Sequence, residues 1–280
     1  MLRGLALRVL DDRDVDEARD LVDRDPVANV FVASRLDAAG LDPWRLGAEV
    51  WGHYSGGRLT ALCYAGANLV PVAAGAEACR AFADKAKRQG RRCSSIVGPA
   101  GQVGPLWSLL EPVWGPARDV RPNQPLMAMS ALPRVAPDPL VRRVMPGELD
   151  ILFPACVAMF TEEVGVSPAN GDGGSLYRAR VAELIAQGRA FARIDDGRVV
   201  FKAEIGAASA DACQIQGVWV DPALRGRGLS NGGMAAVVLQ AQATIAPVVS
   251  LYVNDFNAPA RAAYKKVGFV EVGAFMSVLF

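Results

Sequence analysis

The feature that most constrains the fold of this chain is a proline-rich stretch near its middle. Three prolines fall between Pro133 and Pro139. Proline lacks a backbone donor and pushes the residue before it into extended conformations, so this stretch cannot be helical and favours an extended connector. We therefore place a domain border here, with a first domain at 1–132, a linker at 133–140 and a second domain at 141–280.

The two halves on either side of the linker share one pattern. Each opens with a short predicted strand that leads into an amphipathic segment, and each later contains a strand, a tight glycine turn and a second strand. An offset of 140 residues aligns Gly57 with Gly197 and Gly66 with Gly206. We interpret this agreement as an internal duplication. Chance agreement is the alternative, because glycine turns between strands are common.

Helices and strands are intermixed in the second half, which indicates an α/β domain with a mixed sheet covered on its faces. The predicted helices cover 147–159, 174–187, 226–242 and 258–267. The predicted strands cover 141–145, 190–195, 198–206, 213–220 and 248–253, followed by closing strands.

Charge and composition narrow the classes of function. The chain has 280 residues, with 30 basic and 29 acidic side chains and a formal net charge of +1. This balance provides no overall field that draws a protein to nucleic acid or to an anionic membrane, so neither is an expected partner. The first ten residues are too short and too charged for a signal peptide or a membrane span, and we expect a cytoplasmic protein.

The cysteines and the histidine do not form a pattern typical of a metal site. The five cysteines include no CxxC pair, so we expect reduced core residues and predict no metal. His53 is the only histidine, which excludes histidine-rich sites. Its neighbours Trp51 and Tyr54 favour a strand, and we interpret His53 as structural rather than catalytic.

The segment from Gln214 to Asn231 is the strongest candidate for a binding site. It contains a predicted strand, a proline turn and a glycine-rich helix entry. A helix N-terminus presents unpaired backbone N–H groups, and glycines allow a pyrophosphate to approach the backbone. Arg225 and Arg227 add side chains that bind phosphate oxygens. A P-loop is excluded because the segment has no lysine, and a dinucleotide fingerprint is weak because Asn231 replaces its last glycine.

Two motifs in this half resemble those of one known family. The run Arg225-Gly226-Arg227-Gly228-Leu229-Ser230 resembles the acetyl-CoA loop of GNAT acetyltransferases, with Ser230 in place of the final small residue. For this run alone, a glycine turn before a core helix is the alternative. The segment from Asn257 to Phe269, with Ala260, Tyr264 and Gly268 at the family's spacing, resembles the second GNAT motif. Both motifs occur in family order within 141–280.

The resemblance implies a mixed, mostly antiparallel GNAT-like sheet flanked by helices, in two tandem copies. The first copy is degenerate, because residues 1–132 contain neither motif. The resemblance further implies that the backbone of 218–220 holds the thioester and pantetheine arm of acetyl-CoA and that 225–231 hold its pyrophosphate. The implied cofactor-binding residues are Val218, Trp219, Val220, Arg225, Gly226, Arg227, Gly228, Leu229, Ser230, Asn231 and Asn257.

The resemblance also assigns the general acid. Tyr264 follows Asn257 by seven residues, which places both on one face of a helix, two turns apart. The family resemblance makes Tyr264 the acid that protonates the departing CoA thiolate. A packed core aromatic is the alternative.

The general base is harder to assign. The positions that hold a glutamate in some family members hold Gln214 and Tyr252 here, and neither accepts a proton at neutral pH. Glu204 is the remaining nearby carboxylate in an apolar strand, where burial raises the pKa of a carboxyl group, so it is the candidate base. Pairing with Lys202 or exposure to solvent is the alternative.

These residues predict an N-acetyltransferase that moves an acetyl group from acetyl-CoA to a primary amine. We expect direct attack in a ternary complex, because no cysteine or serine lies in a recognisable nucleophile setting. A non-catalytic acyl-CoA-binding regulatory protein is the alternative. The expected acceptor is a small molecule or a peptide, and Glu162 and Glu163, in a predicted loop, are candidates to attract its cationic amine. We expect a monomer or a homodimer.

Overall fold

Helices and strands follow one another along the whole described chain, residues 6–170 and 173–280 of this computed structural model. The strands are β1 (Leu7–Val9), β2 (Glu49–Ser55), β3 (Arg58–Ala65), β4 (Asn68–Val72), β5 (Ser95–Pro99), β6 (Asp119–Met129), β7 (Arg142–Arg143), β8 (Ala190–Asp195), β9 (Arg198–Ala208), β10 (Ala212–Val220), β11 (Val248–Tyr252) and β12 (Val270–Leu279). The α-helices are α1 (Val15–Val22), α2 (Val30–Ala39), α3 (Pro43–Leu46), α4 (Ala76–Gln89), α5 (Ala100–Trp114), α6 (Leu149–Val164), α7 (Ser175–Ala186), α8 (Leu229–Thr244) and α9 (Ala258–Val267).

The chain forms two compact units that are not contiguous in sequence. The first contains the described residues up to Met127, together with Tyr252–Phe256 and Glu271–Phe280. The second contains the described residues of Ala128–Leu251 and Asn257–Val270. Most of the last strand therefore belongs to the first unit, whereas the predicted division at 133–140 assigns that strand to the second domain.

The first unit has a sheet with the strand order β1-β2-β3-β4-β5-β12-β6. Its first four strands are antiparallel, β4 and β5 are parallel, and β12 pairs antiparallel with β5. Side chains of β2 and β3 alternate between two apolar clusters, so both faces of the sheet are covered. One cluster contains Phe82 and Leu106 from α4 and α5, and the other contains Leu21 and Leu36 from α1 and α2.

The second unit repeats this pattern of pairing. Its strand order is β7-β8-β9-β10-β11, with antiparallel pairs up to β10 and a parallel pair between β10 and β11. On one face, α6 and α7 contribute Leu152 and Leu184 to an apolar cluster. Near β9, α8 approaches so closely that a Cβ at Gly233 would lie 2.7 Å from the Phe201 ring. The predicted fold class, a mixed and mostly antiparallel sheet flanked by helices, is confirmed.

One hairpin in each unit carries the predicted duplication. In the pairing of β2 with β3, His53 lies opposite Ala61, and a bulge follows directly. In the pairing of β8 with β9, Arg193 lies opposite Phe201, and a bulge follows at the equivalent place. Both pairs are related by the same offset of 140 residues as the glycine turns. β-bulges are conserved within protein families. A shared register and a shared bulge therefore support a common origin of the two hairpins.

The histidine and the cysteines lie in the core. His53 is 3% exposed, and its Nδ1 lies 3.1 Å from the Thr60 hydroxyl. All five cysteines are free and buried. Within the described part of the chain, no helix combines the length and apolar character needed to cross a membrane.

Candidate functional site

The candidate cofactor cleft begins where β10 and β11 diverge. The two strands pair only over Ala212–Gln214, although β10 continues to Val220. The pairing of β10 with β9 is interrupted by a bulge between Gln216 and Trp219. Gly217 lies within the bulge with a φ of +61°, a left-handed conformation that glycine adopts without strain. The bulge turns β10 and leaves an open edge beside β11.

A backbone amide of β10 faces this open edge. The Asp221 N–H donates to the Val200 carbonyl of β9 at 3.0 Å. Because successive residues of a strand direct their N–H groups to opposite sides, the Val220 N–H is directed away from β9, towards the side on which β11 lies. Val218 lies within the bulge between Gln216 and Trp219, where this regular alternation is interrupted.

A glycine-rich loop connects β10 to α8. Gly226 and Gly228 have φ values of +76° and +77°, and Gly228 is the N-cap of α8. No side chain of the described residues caps this helix. The Asn231 N–H donates to the Gly228 carbonyl at 3.1 Å. The N–H groups of Leu229 and Ser230, at the start of this 16-residue helix, are available to an anion, with the positive end of the helix dipole behind them. The helix begins at Leu229 rather than at the predicted residue 226, because both glycines adopt left-handed conformations.

The two arginines of the loop have different surroundings. The Arg225 guanidinium donates to the Val220 carbonyl at 3.1 Å and to Glu162 Oε2 at 2.7 Å. Trp219 Nε1 donates to the other oxygen of Glu162 at 3.2 Å. Arg227 is exposed and forms no ion pair with any described residue. Arg227 is therefore the more available cation for a phosphate, and Arg225 links the loop to α6.

The second motif forms α9 as its sequence predicts. The Asn257 side chain accepts the Ala260 N–H at 3.2 Å, a proline lies in the first turn, and Gly268 ends the helix with a φ of +127°. Tyr264 is 7% exposed. Burial raises the pKa of its hydroxyl, and the negative charge of Glu163 raises it further. Tyr264 therefore keeps its proton at neutral pH, as a general acid must.

Glu204 lies in a buried polar cluster. Its Oε2 accepts Lys202 Nζ at 3.0 Å, and its Oε1 accepts Gln216 Nε2 at 3.0 Å. Lys202 is 1% exposed and Glu204 is 6% exposed. Burial is the largest single influence and lowers the pKa of Lys202, but the charges of Glu204 and Cys156 and the hydrogen bonds to both side chains together outweigh burial, and the net shift is upward. The pairing with Lys202 that the sequence leaves open is thus present.

Helix α6 connects these groups. A Cβ at Gly217 would lie 3.1 Å from Met159 Cε, Glu162 contacts the loop, and Glu163 acts on Tyr264. The predicted end of this helix at residue 159 is wrong, because the last turn continues to Val164 and places both glutamates on the helix. Gly165 is the sequence signal for this boundary, since it caps the helix in the left-handed conformation.

Comparison with protein-family models finds matches to two parts of the chain. The model described as "Acetyltransferase (GNAT) family" matches residues 171–269. A second model, described as a domain of unknown function (DUF4081), matches residues 48–152. None of the curated protein sequences matches this chain.

Comparison with solved structures extends to the whole chain. A GCN5-related N-acetyltransferase from Sphaerobacter thermophilus aligns with a TM-score of 0.63 at 15% identity, covering 98% of this chain and 95% of that one. A tandem GNAT protein from the clavulanic acid biosynthesis pathway aligns with a TM-score of 0.55 at 16% identity, covering 98% of both chains. A Drosophila protein aligns with a TM-score of 0.66 at 16% identity, covering 99% of both chains.

These similarities agree with the geometry of the second unit. The family match covers β10, the glycine loop, α8 and α9. Residues 171–269 therefore belong to the acetyltransferase (GNAT) family, and the chain as a whole has the fold of a tandem two-domain GNAT protein.

Proposed function

We propose that this protein is an acetyl-CoA-dependent N-acetyltransferase that acts on a primary amine of a small molecule or a peptide. The observation that carries the proposal is the open edge of β10 followed by a glycine loop at an uncapped helix N-terminus. Such an arrangement offers amide donors to a thioester arm and a positive helix end to a pyrophosphate. Val218 and Val220 would hold the arm, and 225–231 with Asn257 would hold the remainder.

The reaction requires three proton transfers. Glu204 accepts a proton from the acceptor ammonium, which becomes a free amine. The amine nitrogen then bonds to the acetyl carbonyl carbon, and the carbon–sulfur bond breaks. The CoA thiolate takes the Tyr264 proton, and the second proton released by the nitrogen restores Tyr264 through solvent. The amide product and CoA thiol leave with one net proton.

The role of the first unit is part of the proposal. The loop that follows β4 has no counterpart to the arginine-glycine run, and its Ala74 N–H is already bound by the Gln102 side chain at 2.8 Å. An amide donor so occupied is not available to a phosphate. We assign the first unit as a degenerate GNAT-like domain that does not bind acetyl-CoA.

A second candidate function is non-catalytic binding of acyl-CoA. The observation that favours it is that both Glu204 oxygens are occupied. Release of CoA thiol with acetyl-CoA and a panel of primary amines and peptides separates the two functions. The transferase predicts amine-dependent thiol release and an acetylated product. Tight acetyl-CoA binding without amine-dependent release would support the binding protein instead.

A further inference from the structure

Lys202 binds one carboxylate oxygen of Glu204, and Gln216 covers the other. The Gln216 amide donates to Glu204 Oε1 at 3.0 Å, and the two residues lie opposite each other in the pairing of β9 with β10. Gln216 is exposed, whereas Glu204 is 6% exposed. The amide therefore separates the carboxylate from solvent.

Gly206 provides the space for the Gln216 side chain. A Cβ at Gly206 would overlap Gln216 Oε1 and Cδ and would lie 2.7 Å from its Nε2. Gly206 is not among the glycines with positive φ, so its conformation is one that alanine adopts without backbone strain. The glycine is thus needed for the position of the Gln216 side chain and not for the path of the chain.

The other groups around Glu204 are fixed. Lys202 holds Oε2 from the same strand, while Cys156 of α6 and Tyr177 of α7 are the titratable groups that interact with Glu204 from the covering helices. Tyr177 donates to the Cys156 carbonyl at 3.2 Å, and Arg180 of α7 reaches the Gly206 carbonyl at 3.4 Å. Lys202 is 1% exposed, so its departure would leave a buried charge unpaired, whereas the uncharged Gln216 side chain lies at the surface and can leave without that cost.

We propose that Gln216 is a gate over the base, which keeps water from Glu204 until an amine displaces it. The proposal rests on Glu204 acting as the base in the proposed function. A carboxamide N–H makes a weaker bond to a carboxylate than an alkylammonium N–H does, because the latter bond carries charge on both partners. An alkylammonium therefore displaces the amide from Oε1, whereas water and alcohols compete poorly. The gate selects cationic primary amines and suppresses hydrolysis of the thioester.

Hydrolysis of acetyl-CoA without any amine tests the gate. Gln216→Ala removes the amide, and Gly206→Ala excludes it from its space by a different route. Both variants are expected to hydrolyse acetyl-CoA about threefold to tenfold faster than the wild type, the factor that corresponds to one net hydrogen bond. Adding Glu204→Gln to either variant is expected to return the rate to that of the wild type.

Gln214→Ala is the matched control. Gln214 is the same residue type two positions earlier on the same strand, it lies opposite Ala207 rather than Glu204, and it has no hydrogen bond to Glu204 in the described structure. Its rate of hydrolysis is expected to equal that of the wild type. Calorimetric titration with acetyl-CoA checks that all variants still bind the donor, and thermal melting checks that they fold.

The amine reaction provides a second readout. With phenethylamine as the probe, both gate variants are expected to show a lower KM with little change in kcat, because the amine no longer competes with the amide. A residue that only stabilises the strand would change the melting temperature and leave this KM unchanged. Unchanged hydrolysis and KM in both folded variants would overturn the gate while wild-type acetylation still supports the proposed function. Failure of the wild type to bind acetyl-CoA would overturn both.

Discussion

At the scale of single residues, the candidate site combines side chains placed by local helix pattern with side chains placed by strand pairing. Tyr264 and Asn257 are placed by a local helix pattern, so the sequence was sufficient to predict their geometry. The bond between Lys202 and Glu204 lies within β9, whereas the bond from Gln216 to Glu204 joins two strands, and only the register of β9 against β10 determines it. The sequence leaves open whether Glu204 is a buried base, is paired with Lys202 or faces solvent, and the structure shows that it is buried and paired.

Replacement of Tyr264 tests the acid. Tyr264→Phe is expected to slow amine acetylation about a hundredfold, because the thiolate leaves without a proton donor, with little change in acetyl-CoA affinity. Since burial and Glu163 raise the pKa of the hydroxyl above its ordinary value of 10.0, loss of kcat from deprotonation is expected only above that pH. A full pH–rate profile checks both points. Wild-type kcat in the phenylalanine variant would contradict the acid role.

At the scale of secondary-structure elements, local hydrogen bonds and glycine positions determine where helix α6 begins and ends. Glu148 precedes α6 and accepts the Met145 N–H at 2.8 Å and two bonds from Arg142 at 2.7 and 2.6 Å. The bonds from Arg142 lower the pKa of Glu148 from 4.5 to about 2. The sequence predicts a helix here, and its extension to Glu162 and Glu163 depends on Gly165, a cap that the periodic pattern alone does not reveal.

Stability near α6 is therefore expected to depend on pH. A carboxylate with a lowered folded pKa stabilises the protein fully above its unfolded value of about 4.5, and this contribution is lost as the pH falls from there through the folded value of about 2. Glu148→Gln is expected to lower the free energy of unfolding by about 1 kcal/mol at pH 7 and to have little effect once the pH is below about 2. Urea unfolding at several pH values measures this. A difference that is constant with pH would contradict the assignment.

The bulge of β10 allows a second prediction at this scale, about the stability of glycine variants. Gly217 and Gly197 both have positive φ, at +61° and +74°. A Cβ at Gly217 would lie 3.0 Å from Glu204 Cδ and 3.1 Å from Lys202 Nζ, whereas a Cβ at Gly197 meets nothing within 4 Å. Gly197→Ala is expected to cost about 1 kcal/mol of backbone strain, and Gly217→Ala roughly 1–3 kcal/mol more. Equal losses in urea unfolding would show that the ion pair does not pack against the bulge.

At the scale of the whole molecule, the main difference from the sequence prediction is the last strand. The sequence indicates two halves with one pattern, and the hairpin registers agree with this. It does not reveal that β12 pairs with β5, because strand pairing between distant segments depends on tertiary packing and not on local pattern. Val278 of β12 lies in the apolar cluster of the first unit.

Two substitutions in β12 test its place in the first unit. Val278 is 0% exposed and Val272 is 53% exposed. Val278→Asp is expected to destabilise the protein by about 3–5 kcal/mol, because it buries an unpaired charge, whereas Val272→Asp is expected to change stability by less than about 0.5 kcal/mol. Chemical denaturation of the full chain measures both. Similar effects of the two variants would contradict the pairing of the strand with the first unit.

The proposed function depends on acetyl-CoA binding at the loop before α8, and calorimetric titration with acetyl-CoA tests this directly. We expect the wild type to bind one equivalent and Gly228→Leu to bind at least about tenfold more weakly, because its side chain fills the approach to the helix N-terminus. Gly197→Leu carries comparable backbone strain at a distant turn and is expected to bind as the wild type does. Equally tight binding by the Gly228 variant, or no binding by the wild type, would contradict acetyl-CoA binding at this loop.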